Sequence, residues 1–311
     1  MDQNSLNQFK ARRDLWIDCL TGNDRHSIKY QIHRMLLNAA TFRVINEARR
    51  IAPPAKEGGV QLNGMMHRLI TDGFFAVQLF SIRCLTDTSS LESYTRERDV
   101  ISLISLLDDM RKHASLMTRV SMFAAEGLEY DVDRIADRFK EYVQERPREL
   151  ESNHLEERHA HINFLAGVSA ERHAPDDGVG PVVMERLKEK VTYATKDLRV
   201  YVNKFLAHAA TPGSRQVVEA DNLRITLNRL YQAHKAICKV ANFVSIYILG
   251  ESSIGGLAHP IYDQFAYIDK PLVTAHGLPA LRKVWDEYDK ETHQWANWGI
   301  QEFQEELQRV V

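Results

Sequence analysis

Leu198-Arg199-Val200-Tyr201-Val202-Asn203-Lys204-Phe205-Leu206-Ala207-His208-Ala209-Ala210 is an apolar run interrupted by a polar pair and a histidine, and Thr211-Pro212-Gly213-Ser214 ends it. Proline and glycine at that point stop a helix, so the run reads as a helix end. Lys204 and His208 are four apart, which on an α-helix places them on one face. A lysine one turn before a histidine suits gripping a phosphate and moving a proton. The plainer reading is a histidine packed near a helix end, which is the commoner fate of helical histidines.

Outward from this run the same helical spacing recurs. Glycine (15) and proline (9) are scarce and clustered, and no stretch alternates with strand period. Ser5 to Leu20 reads as a first helix, and Asn23-Asp24 caps a second that runs to about Arg50, before Pro53-Pro54. Leu62 to Asp87 reads as a third, with Met66, Leu69, Ile70, Phe74, Val77, Phe80, Ile82 and Leu85 on a broad apolar face. A polar loop over 86–98 leads to a fourth, Val100 to Met117. Shorter helices are expected over 121–146, the second starting near Asp131, followed by a charged helix over 148–170 and a loop at 174–181. Val182 to Ala210 is a long helix or a kinked pair, and Ala220-Asp221 caps another that runs through Leu249. The last sixty residues are less regular until Leu281 to Gln308, which carries Trp285, Trp295 and Trp298. The fold class is all-α, a helical bundle with additional N- and C-terminal helices.

The totals narrow the function. A chain of 311 residues with 44% apolar and 26% charged residues buries a substantial core. A net charge of -2 leaves no global field for nucleic acid or membrane, so any such contact needs a local basic patch. Cys19, Cys84 and Cys238 are far apart and odd in number, which argues against a disulfide framework or zinc site and suits a reducing cytoplasm. The polar opening Met1 to Ser5 predicts no signal peptide. The apolar run from Ala236 to Gly250 contains Lys239 and is too short to span a bilayer, so no membrane role is expected. The expected location is cytoplasmic.

Other clusters have ordinary explanations. His154, Glu157 and His161 share a helical face with metal-ligating chemistry, but no second cluster accompanies them. A solvated charged helix accounts for them, and no metal or cofactor is expected. Lys10, Arg12, Arg13, Arg25, Lys29, Arg34, Arg43, Arg49 and Arg50 suggest a phosphate-tracking stripe, yet their spacing does not hold one face. Asp72, Asp87, Asp108 and Asp109 read as caps and surface residues. The common nucleotide-binding, nucleophile-elbow and zinc-protease signatures are absent.

Three segments in order carry a family resemblance: Ser81-Ile82-Arg83-Cys84-Leu85-Thr86-Asp87, then Val100-Ile101-Ser102-Leu103-Ile104-Ser105-Leu106-Leu107, then Leu198 through His208, followed by the helix from Asp221. This order resembles the HEPN-type helical domains of abortive-infection proteins of the AbiU2 kind, over roughly residues 60 to 250. The resemblance implies a HEPN-like bundle over 60–250, N-terminal helices over 1–59 packed on it, and a C-terminal extension over 251–311. It implies a metal-independent ribonuclease in defence or toxin–antitoxin biology, acting as a homodimer whose motifs meet at the interface, with RNA and a protein partner or antitoxin as ligands. The family motif is an arginine, a polar residue, and a histidine four to six residues beyond the arginine. On this chain Asn203 matches the polar residue and His208 the histidine, while Val202 stands where the arginine belongs.

Valine neither holds a phosphate nor stabilises its charge. Arg199 is about half a helical revolution from His208, so Lys204 is the better substitute cation. Arg148 to His154 and Arg229 to His234 fit the loose spacing, but thirteen histidines make such matches expected by chance. The candidate site is therefore His208, Lys204 and Asn203. The alternative function is a non-catalytic helical dimerisation or interaction scaffold.

Overall fold

The computed structural model describes residues 3–52, 62–88, 91, 100–128, 150–169, 174–206, 211, 213, 225–257, 261–263, 265–268, 270 and 275–296. Side chains at 150–155, 275 and 292–296 fall outside that description. The expected helix after Asp131 and the cap at Ala220-Asp221 lie outside the described residues.

Among the described residues every named element is a helix, with one isolated antiparallel bridge between Thr118 and Gly178. The α-helices are α1 Gln3–Thr21, α2 Ile28–Ile51, α3 Gly64–Leu85, α4 Leu103–Lys112, α5 Arg119–Ala125, α6 Leu150–Ala166, α7 Pro181–Tyr201, α8 Leu227–Phe243 and α9 Leu278–Ala296. Two π-helical turns, Val202–Leu206 and Val244–Ile248, prolong α7 and α8. None of these helices is long and apolar enough to cross a membrane.

Capping side chains set the starts. Ser27 Oγ accepts from the Tyr30 amide, Asn63 Oδ1 from Met65, Ser102 Oγ from Ser105 and Thr226 Oγ1 from Arg229, each satisfying a first-turn donor that has no helical partner. Thr118 and Ser121 cap α5 reciprocally. The cap expected at Asn23-Asp24 is displaced to Ser27, because the Asp24 carboxylate accepts from the His26 amide in the preceding turn. The fourth helix is shorter than expected: α4 stops at Lys112, where His113 Nδ1 contacts the Asp109 carbonyl, and a 3-10 turn over Ala114–Leu116 replaces the rest.

Met1–Ala52 and Gln61–Ala258 form one compact unit, and Pro53–Val60 and His259–Val311 fall in a second. In the first unit α7 packs on α3, α4 and α8, while α2 packs on α1, α3 and α8. Its core takes Trp16 and Leu20 from α1, Ile28, Ile32 and Met35 from α2, Leu79 and Ile82 from α3, Leu103, Ile104, Leu106 and Leu107 from α4, and Val191 and Leu198 from α7. The apolar face expected on α3 is only partly used. Its buried row is Gln78, Leu79, Ser81, Ile82 and Leu85, while Leu69, Val77 and Phe80 are exposed.

Candidate functional site

The end of α3 meets the π-turn that follows α7. Arg83 lies in the last turn of α3, where the helix dipole favours a cation. Its Nη1 donates a hydrogen bond to Asn203 Oδ1, joining residues 120 apart in sequence. Asn203 is exposed, and Lys204 beside it is half-buried. Arg34 of α2 belongs to the same neighbourhood. Burial, then the Asp87 carboxylate, pushes the Cys84 thiol up, and the opposing cations are Arg83 and Arg34. Around Cys84, two guanidiniums thus stand against one carboxylate.

Val202 shows why the expected arginine is absent. It is 1% exposed and belongs to the core of the first unit. A guanidinium there would be a buried charge, which costs several kcal/mol unless paired. Arg83 brings a guanidinium to the neighbouring Asn203 from a different helix instead. Sequence spacing does not reveal Arg83, because the contact is long-range; its only signal is an arginine near the end of the third helical segment.

The local backbone also differs from the expected α-helix. Val202–Leu206 is π-helical, with i→i+5 bonding and more than 3.6 residues per turn. Within this turn residues four apart do not stack as they do on an α-helix. His208 lies outside the described residues. The structure thus brings Asn203 and Arg83 together, with Lys204 adjacent to Asn203 in the chain.

The other sequence candidates resolve into structural contacts. Arg13 donates to the Leu249 carbonyl and Glu251, Arg12 lies 3.6 Å from Asp109, Arg50 pairs with Glu47, and Arg43 sits over the Tyr231 ring. Asp109 is neither a cap nor a surface residue: it is buried and accepts from Trp16 Nε1 at 2.7 Å. Among the described residues no group of three or more His, Cys, Asp or Glu side chains comes together to hold a metal. Burial pushes the Cys19 thiol up to about 12 and the Cys238 thiol up to about 11, which suppresses thiolate reactivity.

In the charged run, Glu157 is exposed and His161 half-buried, whereas Arg158 and His159 between them turn inward. Arg158 and His159 are each 2% exposed. Arg158 Nη2 donates to Glu126 Oε1 at 2.5 Å and to the Ile248 carbonyl at 2.9 Å, while Nη1 donates to Tyr247 O at 2.6 Å. Arg119, fully buried, reaches Asn163, Asp177, the Ala174 carbonyl and His159 Nδ1. The periodicity holds a signal for this: His159 and Arg158 lie three and four residues before the buried Ile162.

Fold and site together define an all-α protein in which a half-buried arginine is bonded to an exposed asparagine. Comparison of the chain with protein-family models, curated proteins and solved structures finds no match.

Proposed function

We propose that this is a HEPN-like helical protein that binds RNA and cleaves it without a metal, in a defence or toxin–antitoxin setting. The observation that carries this reading is the Arg83–Asn203 hydrogen bond, which sets a planar guanidinium beside the polar residue of the motif. Arginine suits a phosphate because its donors form a rigid fork. In this reading Arg83 and Lys204 hold the scissile phosphate and Asn203 orients it. His208 takes the proton from the ribose 2′-hydroxyl, whose oxygen then bonds to the phosphorus as the P–O5′ bond breaks, and the departing 5′-oxygen takes a proton from water. The chain acts as a homodimer in this reading, and an antitoxin or other protein partner would regulate it.

The test is incubation of the purified chain with a mixed RNA pool in a chelator, beside His208→Ala and Arg83→Ala. Cleavage lost in both variants supports the proposal; an inert parent that binds no RNA overturns it. Binding titrations add a second readout, since Arg83→Ala should lower the salt slope by about one.

The burial of Val202 favours a second reading, a non-catalytic interaction scaffold, because the family's arginine position is committed to the core. RNA inertness together with dimerisation unaffected by His208→Ala would select it.

A further inference from the structure

Among the described residues Tyr193 is the most exposed aromatic side chain, 89% accessible in the body of α7. The buried row of that helix, Met184, Val191, Thr195 and Leu198, faces the core, and Tyr193 stands on the opposite side. Its neighbours on the helix surface are Glu189, Lys190, Lys196 and Asp197, three and four positions to either side, and all four are charged. A lone ring in such company offers an apolar protein partner little to bury and a lipid surface little to insert.

The charges around it are unequally used. Glu185 accepts from Arg111, Glu189 accepts from Arg186, and Lys188 donates to Asp108. Among the described residues this leaves Lys190, Lys196 and Arg199 on α7 against Asp197 alone. A chain of net charge -2 thus carries a local cationic excess beside its most accessible aromatic ring. A flat ring flanked by lysines matches a nucleobase between phosphates: the base stacks on the ring while the cations meet the backbone.

The helix also connects this ring to the corner described above. Asn203 lies ten residues beyond Tyr193 on the turn that prolongs α7, about 15 Å along the axis. We propose that Tyr193 is a base-stacking platform for unpaired RNA, with Lys190 and Lys196 on the adjoining phosphates and the strand running along α7 to Arg83, Asn203 and Lys204. This inference rests on the RNA reading and adds to it a second contact point, a few nucleotides from the scissile phosphate. Stacking accepts every base, so the platform positions the strand without reading its sequence. A duplex, whose bases are already stacked on one another, gains nothing from it.

The test is a fluorescence-anisotropy titration of the full chain with an unstructured single-stranded RNA and with an RNA duplex, with circular dichroism confirming that each variant is folded. Tyr193→Ala should weaken single-strand binding about tenfold and leave duplex binding unchanged, and Tyr193→Phe should retain the parental affinity. Lys190→Gln with Lys196→Gln should lower the single-strand salt slope by about 1.4. A parent that binds no RNA overturns the RNA reading and this inference with it. A parent that binds RNA overturns this inference alone if Tyr193→Ala is silent, if it weakens duplex binding equally, if Tyr193→Phe fails to retain affinity, or if the double lysine variant leaves the salt slope unmoved.

Discussion

Two arginine sites in the first unit invite comparison. Arg158 is buried, paired with buried Glu126, and donates to two carbonyls at the end of the second π-turn. Arg83 is half-buried and donates to an exposed asparagine beside the first π-turn. The buried site uses its donors to hold the fold, because leaving any of them unpaired inside the protein is costly. At the Arg83 corner water can reach the groups involved, so the same side chain is worth little to stability and remains accessible to a ligand.

The sharpest test of that contrast is Arg158→Met, which strands the Glu126 charge in the interior. It should destabilise the protein by about 3–5 kcal/mol in urea denaturation. Equal stability would dissolve the distinction. His234 offers a comparable effect through pH. Burial, then the Arg43 charge, lowers its pKa to about 4 from 6.5, and its Nε2 has no hydrogen-bond partner among the described residues. The unfolded chain takes up a proton that the folded one resists. Stability should hold above about pH 6.5, fall by on the order of 3 kcal/mol as pH drops toward 4, and then level off. His234→Gln should remove that component of the pH profile.

A smaller loss is expected at Trp16→Phe, which deletes the indole donor to Asp109 and should cost about 1–3 kcal/mol by thermal or urea unfolding. The smallest is Arg83→Met, which should shift stability by no more than about 0.5 kcal/mol and, on the proposed reading, weaken RNA binding. A large stability loss there would place Arg83 with Arg158 as a structural group.

The helices are legible in the sequence because their apolar spacing and caps are local signals. Ser27 is obscured by two competing cap residues, Asn23 and Asp24, a few positions upstream. Arg83 and Asp109 are not legible in their roles, since their partners lie 120 and 93 residues away. The run at 198–208 places Asn203 and Lys204 at a helix end, but α and π turns share the same residue preferences there. Arg158 and His159 look solvated because charge dominates their segment, although the apolar period counted back from Ile162 reaches them.

The π-turn at Val202–Leu206 also bears on how this chain tolerates change in length. A π-turn holds one residue more than the α-turn it replaces, so it can absorb a single-residue deletion without breaking the helix. The segment can therefore lose a residue while Val202 keeps its place in the core.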